Sequence, residues 1–350
     1  MTRPLEVALV GYGYAGRVFH APLIAHTPGL RLHTVVSSDP ARVHADFPQA
    51  AVVADPGIAF ATPDIDLVVI AAPNVVHAPL AIAALRAGRH VLVDKPFATT
   101  LAEAQAVAAE AVAAGRIASV FQNRRWDADF LALRGLVEAG SLGEISELHS
   151  HFDRYRPEVP DRWRERPGPG AGLWFDLGPH VVDQVLQLSG MPLSVQADIA
   201  PQRAGAQVDD FFHVVLRYRR MRAILHAGAL VPSGSLRFAV HGSRGSFIKH
   251  GLDGQEAALR AGAEPGGPGW GQDPRPGVLA TVEPDGRLVE RPLQGPAGDY
   301  RACYAAMREA ILGRGEPPVG LDEALDVMRV LEAGRESAAS GRTVDLRPGA

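Results

Sequence analysis

The first third of the chain alternates short, continuous runs of apolar residues with alanine-rich stretches of helical length. Continuous apolar runs are typical of parallel strands that helices cover on both faces. Thr100 and Glu103 form a capping box at the start of one helical stretch, and Gly88 and Gly115 stand where helix ends need a left-handed residue. The pattern predicts a Rossmann-type α/β domain over residues 1–122, with strands at Leu5–Val10, Leu32–Ser37, Leu67–Ala71, His90–Val93 and Ala118–Phe121.

The pattern changes at about Asn123, where one helical stretch is followed by closely spaced strand-like runs separated by turn residues. Such runs predict an antiparallel sheet, so residues 123–350 are expected to form an α+β domain with a large, mainly antiparallel open sheet. Two helical stretches, at 297–312 and 320–339, close the chain. The expected strands are Glu144–Arg154, Phe211–Tyr218, Arg222–Leu230, Leu236–His241 and Ser246–His250.

Composition and charge exclude several classes of partner for this chain of 350 residues. The formal net charge is -4 and no basic run could follow a phosphate backbone, so we expect no nucleic acid partner. No apolar stretch approaches the roughly 20 residues that span a bilayer, and the first residues lack the pattern of a signal peptide. Cys303 is the single cysteine, which fits a reducing compartment, so we expect a cytoplasmic protein without a membrane anchor.

A glycine motif directly follows the first predicted strand. Its glycines are Gly11, Gly13 and Gly16, separated by Tyr12 and by Tyr14 and Ala15, and the motif opens a predicted helix. In that context the first glycine permits a tight turn, the second lets the backbone approach a pyrophosphate, and the third allows close packing of helix and strand. The motif therefore predicts dinucleotide binding.

The end of the second predicted strand bears on the choice between NAD and NADP. Ser37 and Ser38 stand where an NAD site usually presents an acid to the ribose hydroxyls, and Arg42 follows closely. Two hydroxyls and a guanidinium suit a 2′-phosphate, so the sequence favours NADP, with NAD as the alternative. Asp39 has two open interpretations, as the ribose-binding acid of an NAD site or as the cap of the next helix.

Lys95 follows the fourth predicted strand, in the run Asp94-Lys95-Pro96. Ligands of open α/β sheets bind at the carboxyl ends of the strands, and an ammonium group there can polarise a substrate oxygen. Lys95 and Lys249 are the only lysines of the chain, which favours a functional role for Lys95 over a solvated surface pair with Asp94.

Asp176 and His180 lie at a predicted helix start behind a glycine-rich loop, with Pro179 in the first turns. An imidazole can take a hydroxyl proton while hydride leaves the carbon, and a carboxylate can orient that imidazole. The alternative is a capping aspartate and a buried histidine. The presence of a dinucleotide motif in the same chain makes this alternative less favoured.

Three residues with metal-binding side chains alternate on one predicted strand: His149, His151 and Asp153. Side chains along a single strand point in parallel rather than at one atom, so the sequence predicts no metal site there. A polar lining of the substrate cleft or a solvated sheet face is the favoured interpretation.

Several motifs in the same order resemble the Gfo/Idh/MocA family of NAD(P)-dependent oxidoreductases. They are the glycine motif, the turn from Ala72 to His77, the Asp94-Lys95-Pro96 run, and the segment Asp176 to His180. Within the family, the chain is most similar to the NADP-dependent scyllo-inositol dehydrogenases in the runs Gly11 to Tyr14, Phe19 to Leu23, Asn123 to Asp127 and His151 to Arg154. The resemblance implies that Lys95, Asp176 and His180 are catalytic, and that the cofactor and substrate contacts include Pro73, Asn74, His77, Asp94, Trp163, Arg164, Arg124 and Asp153.

The resemblance also implies the reaction and the assembly. We expect hydride transfer between nicotinamide and a secondary alcohol or ketone of a cyclic polyol or sugar, with scyllo-inositol the first candidate. A homodimer or homotetramer through the sheet of the second domain is expected. The alternatives are another sugar dehydrogenase that uses NAD and a non-catalytic NADP-binding sensor.

Overall fold

The computed structural model describes residues 3–234 and 236–347. The chain divides into two compact units. The first contains the chain up to Asn123 together with Gln255–Trp270 and Asp299–Met328, and the second contains Arg124–Gly254, Gly271–Gly298 and the chain from Arg329 onward. Two segments distant in sequence thus complete the first unit, through bonds such as that from the Ser119 hydroxyl to the Val319 carbonyl.

The first unit is built on a six-stranded sheet in the order β3-β2-β1-β4-β5-β6, all of whose strand pairs are parallel. This is the order of a dinucleotide-binding Rossmann fold, with the switch point between β1 and β4. The central strands are almost fully buried, as their continuous apolar runs predicted. The strands are β1 Leu5–Val10, β2 Leu30–Val36, β3 Ala51–Val53, β4 Ile65–Ile70, β5 His90–Val93 and β6 Ala118–Val120.

The second unit is built on a nine-stranded sheet in the order β14-β13-β12-β11-β7-β10-β9-β8-β15. All its neighbouring strand pairs are antiparallel except β7 and β10, which are parallel. The strands are β7 Ile145–His151, β8 Ser194–Ala200, β9 Phe211–Arg217, β10 Arg222–Gly228, β11 Leu236–Gly242, β12 Gly245–His250, β13 Gly277–Val282, β14 Leu288–Leu293 and β15 Val344–Asp345.

Each helix that the sequence predicted is present to within a few residues, and the helices Pro56–Ala61 and Gln255–Arg260 were not among those expected. Thr100 accepts from the backbone N–H of Glu103 and Gly115 ends the same helix with φ of 60°, as the capping signals predicted. The helices are α1 Ala21–Ala25, α2 Pro40–Asp46, α3 Pro56–Ala61, α4 His77–Arg86, α5 Leu101–Ala114, α6 Ala128–Glu138, α7 Leu173–Ser189, α8 Gln255–Arg260, α9 Arg301–Ile311 and α10 Leu321–Ser340.

The expected fold class is confirmed, and five strands were not among those expected. The strands β3 and β15 have three and two residues, too few to show a periodic pattern. The strands β8, β13 and β14 mix polar and apolar residues because much of each is exposed. No helix within residues 3–234 and 236–347 is both long enough and apolar enough to cross a membrane.

Candidate active site

The glycine turn after β1 has the geometry that a dinucleotide requires. Gly11 has φ of +96°, and a Cβ there would lie 2.6 Å from the carbonyl oxygen of Ala71. A Cβ on Gly16 would lie 2.0 Å from the carbonyl oxygen of Gly11, whereas a Cβ on Gly13 would meet open space. Two of the glycines therefore serve the packing of the turn, and the third leaves the approach to the backbone free for a pyrophosphate, so the turn fits NAD or NADP.

This difference between the glycines gives a testable separation of folding from binding. We expect Gly13→Ala to fold normally and to weaken dinucleotide binding at least about tenfold, because the added methyl group occupies the pyrophosphate's approach. Gly16→Ala should instead lower the melting temperature, because its methyl group overlaps a backbone oxygen. Thermal unfolding and fluorescence titration with NADPH distinguish the two variants. Equal cofactor affinity of Gly13→Ala and the wild type would contradict the assignment.

The end of β2 carries the residues that the sequence assigned to the ribose. Ser38 and Arg42 are exposed, and the Ser37 hydroxyl accepts from the backbone N–H of Asp39. The Asp39 carboxylate accepts from the backbone N–H of Arg42 and so caps α2. The capping interpretation of Asp39 is therefore realised, although Asp39 is exposed like Ser38 and Arg42, and Ser37 is half-buried.

Tyr12 ties the glycine turn to α2. Its hydroxyl donates to Asp46 at 2.9 Å, and the Arg17 guanidinium bonds the same carboxylate at 2.6 Å. Burial and then the bond to Asp46 raise the pKa of Tyr12 well above its usual range. The pKa of Asp46 is lowered, mainly by the hydrogen bond from Arg17. These bonds hold the glycine turn and α2, both parts of the predicted cofactor site, in fixed positions relative to each other.

His77 joins the turn after β4 to the turn after β5. It is fully buried, and its ring nitrogens lie 2.8 Å from the Pro96 carbonyl and 2.9 Å from the Ala72 carbonyl. Asn74, in the same turn, is 4% exposed and follows Pro73. His77 was predicted beside the cofactor, and its contacts in this unit connect the two loops that hold Asn74 and Lys95.

Behind Lys95 lies a buried chain of polar groups. The Asp94 carboxylate accepts from the backbone N–H of Lys95 at 2.9 Å, and it lies 3.7 Å from Nε2 of His20. The other ring nitrogen of His20 bonds the Tyr304 hydroxyl at 2.6 Å. Burial opposes ionisation of Asp94, but the interactions with His20, Lys95 and His77 lower the pKa of Asp94 to about 2. An ionised carboxylate therefore stands next to Lys95.

His20 and Tyr304 were not among the predicted site residues. His20 is fully buried and packs on Phe121, with ring centroids 4.5 Å apart. Its signal in the sequence was its place in the run Phe19 to Leu23, which carried the family resemblance without a stated role. Tyr304 had no such signal, because it lies on α9, far from the glycine motif along the chain.

A cleft in the second unit surrounds the predicted catalytic Asp176. Its carboxylate lies 3.8 Å from the Arg154 guanidinium and 3.9 Å from the Arg164 guanidinium. The cleft is open to solvent. The remaining lining residues are Phe152, Arg156, Arg162, Glu165, Gly172, Leu173, Arg203, Asp209, Asp210, Gly228 and Ala229.

His180 lies one helical turn after Asp176 on α7. Residues four apart share one face of a helix, so the two predicted catalytic groups of this unit project from the same side. His180 is 4% exposed, and Pro179 lies inside the helix rather than at its first position. The Arg164 guanidinium stacks over the ring of Trp163, 4.8 Å from its centroid, so the two side chains of this predicted pair contact each other beside the cleft.

The start of α7 is held by Asp209. Its carboxylate accepts from the backbone N–H of Trp174 and its carbonyl accepts from that of Leu173. A Cβ on Gly172, whose φ is +88°, would lie 2.0 Å from the Asp209 carboxylate, so glycine is required there. Burial raises the pKa of Asp209 to about 6, although its backbone hydrogen bonds act in the opposite direction.

The raised pKa of Asp209 predicts a pH dependence of stability. The folded state binds the proton more tightly than the unfolded chain, so this stabilisation is complete below about pH 4 and is lost as the pH rises through about 6. We expect Asp209→Asn to remove a decline of about 2 kcal/mol in the free energy of unfolding between pH 4.5 and 7.5. Urea unfolding at both values measures it, with exposed Asp161→Asn as the control. An unchanged decline in Asp209→Asn would contradict the assignment.

Two predicted substrate contacts have other neighbours in this unit. Arg124 is 5% exposed, contacts Asp127 at 3.2 Å and lies over the ring of Phe152, 4.5 Å from its centroid. Asp153 lies between Phe152 and Arg154 in sequence but is not among the residues that line the cleft. Its oxygens lie 3.4 Å from His151 and 3.4 Å from His226 instead.

The strand order and the glycine turn are those of a dinucleotide-binding domain, and comparisons with known proteins extend the assignment to the whole chain. Residues 5–122 match the family model described as "Oxidoreductase family, NAD-binding Rossmann fold". Residues 134–346 match the companion model, "Oxidoreductase family, C-terminal alpha/beta domain". The chain therefore belongs to the Gfo/Idh/MocA family, and it is an oxidoreductase.

Individual relatives match almost the full length. The chain is 51% identical to the uncharacterized oxidoreductase YdgJ of Escherichia coli, over 99% of this chain and 100% of that protein. It is 38% identical to the NADP(+)-dependent scyllo-inositol 2-dehydrogenase IolW of Bacillus subtilis, over 98% of this chain and 96% of that protein. Among solved structures, the oxidoreductase yvaA of Bacillus subtilis superposes with a TM-score of 0.96 at 37% identity, covering 99% of each chain.

Proposed function

We propose that this protein is an NADP-dependent dehydrogenase or reductase that interconverts a secondary alcohol and a ketone on a cyclic polyol or sugar. Scyllo-inositol is the first substrate to test. The observation that carries the proposal is the cleft around Asp176, where a carboxylate lies between two guanidinium groups. Carboxylates accept and guanidinium groups donate hydrogen bonds, so this lining suits a ligand with many hydroxyls. The similarity to IolW supports the same substrate class.

We assign the chemistry to Lys95, Asp176 and His180. NADP held by the glycine turn would supply the hydride acceptor for oxidation of the alcohol and the hydride donor for reduction of the ketone. His180 takes the hydroxyl proton during oxidation and gives it back during reduction, as an acid/base of suitable geometry can. Lys95 donates a hydrogen bond to the substrate oxygen and stabilises its developing negative charge. Asp176 accepts from a substrate hydroxyl and orients the imidazole.

His20 and Tyr304 act as positioning residues in this scheme. They hold the buried Asp94 carboxylate, and that carboxylate accepts from the backbone N–H of Lys95. The lysine is thereby attached to a rigid, buried network rather than to a flexible loop. A fixed position is what an electrostatic contribution to catalysis requires, because the ammonium must already face the oxygen when charge develops.

We propose NADP over NAD because two hydroxyls and the Arg42 guanidinium follow β2, and the Asp39 carboxylate is used to cap α2. In Arg42→Ala, the Kd for NADP should rise about tenfold and that for NAD should stay the same, since only NADP carries the 2′-phosphate. Titration of both cofactors measures the ratio. Arg86→Ala, which removes an exposed arginine paired with Glu110, is the matched control. A preference for NAD in the wild type would indicate that Asp39 binds the ribose hydroxyls.

The substrate proposal is tested by NADPH absorbance with the purified protein and a panel of inositols, hexoses and their keto forms, with NADP and NAD tried separately. Turnover with NADP on an inositol is the expected result. Turnover on hexoses but not on inositols would show that the substrate is a sugar other than an inositol. Silence across the panel with intact cofactor binding would contradict the proposal and favour a sensor.

We further propose that the enzyme is a cytoplasmic homodimer or homotetramer that assembles through the nine-stranded sheet. One face of β9 and β10 is buried through residues such as Phe212 and Leu225, whereas Val215 and Ile224 on the other face remain partly exposed. Partly exposed apolar residues on a sheet face are suited to an interface between subunits. Light scattering gives the number of subunits, and a monomer would contradict this proposal.

A further inference from the structure

Three potential metal ligands converge on the partly exposed face of the nine-stranded sheet. They are His151 at the end of β7, Asp153 two residues later, and His226 on β10. Each offers one ligand atom, and these atoms all lie within 4.8 Å of one another. The nearest approaches are 3.4 Å from Asp153 to each histidine. The Nε2 atom of His151 is buried and has no hydrogen-bond partner within the described part of the chain.

The convergence follows from the one parallel strand pair of this sheet. The strands β7 and β10 run in parallel, with His226 paired to His151, so the two imidazoles are neighbours on one face. Beyond β7 the chain stays beside β10, because the Phe152 N–H donates to the His226 carbonyl. The Asp153 carboxylate accepts from the backbone N–H of Gly228, which holds it next to the same pair.

The sequence argument against a metal considered only His149, His151 and Asp153, whose side chains lie along a single strand. The third ligand is instead His226, which comes from a neighbouring strand and lies 75 residues from His151 in the chain. His149 and His213 surround the group, with ring centroids 5.9 Å from His151 and 5.6 Å from His226. Four imidazoles and one carboxylate thus lie together on this face.

We propose that His151, Asp153 and His226 form a Zn²⁺ site that is separate from the proposed catalytic residues. Two imidazoles and one carboxylate are a donor set that Zn²⁺ binds, with water completing four-coordination. The ion would tie the end of β7 to β10. The residues that flank Asp153 in sequence, Phe152 and Arg154, line the cleft instead, so Asp153 acts here as a metal ligand rather than as a substrate contact.

Zinc binding to the full-length, EDTA-treated protein tests the site without any substrate. Isothermal titration with Zn²⁺ should show one site per chain, and Co²⁺ should give the visible absorption of a four- or five-coordinate ion. His226→Ala and Asp153→Asn should each weaken binding at least about tenfold, because each removes a ligand. His241→Ala, which changes a histidine of β11 bonded to the Ser246 hydroxyl, should bind as the wild type does.

The absence of saturable Zn²⁺ binding to the wild type would overturn the proposal, as would unchanged affinity in both ligand variants. Loss of binding in His241→Ala to the same extent would also overturn it, because it would indicate nonspecific binding to histidines. Circular dichroism checks that each variant is folded. Should a variant fail to fold, NMR of the wild type replaces it. Zn²⁺ should then change the chemical shifts of the imidazole resonances of two histidines selectively. Changes spread over all histidines would overturn the proposal.

Discussion

Replacement of Lys95 by alanine should lower kcat about 10² or more while the affinity for NADPH remains close to that of the wild type. The reason is that an ammonium group facing the substrate oxygen stabilises charge that develops mainly in the transition state, and such contributions are of this size. Turnover on the best substrate of the panel and fluorescence titration with NADPH measure the two quantities. A variant with normal turnover would remove Lys95 from the mechanism.

Lys95→Arg is the informative companion to this variant. It keeps the positive charge but replaces a compact ammonium by a planar guanidinium, so it should recover little of the lost activity if position decides the effect. Lys249 is not a suitable control, because it is buried in an ion pair of 2.8 Å with Asp273 and its removal would damage the fold. A wild-type rate in Lys95→Arg would show that charge alone is sufficient.

Replacement of His180 by asparagine should lower kcat by about 10² to 10⁴ and flatten the dependence of kcat on pH. Both changes follow from the loss of the group that exchanges the hydroxyl proton, since general acid/base catalysis contributes rate factors of this order. Turnover measured from pH 5 to 10 in both directions of the reaction provides the profile. An unaltered profile with reduced turnover would indicate a structural role for His180 rather than a role in proton transfer.

His77→Asn serves as the contrasting histidine variant. His77 is buried in the first unit, where its ring contacts two carbonyl groups and connects two loops. We expect its loss to reduce stability and cofactor affinity while the shape of the pH profile persists. If the profile changed in His77→Asn and not in His180→Asn, the proton-transfer role would belong to His77.

Much of the first unit followed from local pattern. The continuous apolar runs of β1, β4 and β5 require cover on both faces, and Gly11 and Gly16 stand where a Cβ would lie 2.6 Å and 2.0 Å from a backbone oxygen. The capping residues Thr100 and Gly115 act at the positions where the sequence placed them. Such features depend on neighbours along the chain, and a single sequence contains them.

The buried network behind Lys95 shows what local pattern omits. Tyr304 reaches His20 across 284 residues of sequence, and nothing in the spacing of either residue announces the partner. The site of His151, Asp153 and His226 is similar, because the parallel register of β7 and β10 brings together groups that are 75 residues apart. In both cases the side chains could be read from the sequence, but which of them lie next to each other could not.

The Rossmann fold, the glycine turn and the position of Lys95 at a strand end could be predicted from apolar periodicity and the steric limits of glycine, which act over a few residues. The family could be predicted from the order of the motifs along the chain. The folded structure was needed to show that Asp39 caps a helix, that Asp153 lies with His226 and that His20 lies beside Asp94. Those outcomes depend on which strands pair and which helices pack, because folding brings side chains together across loops whose course no local rule specifies.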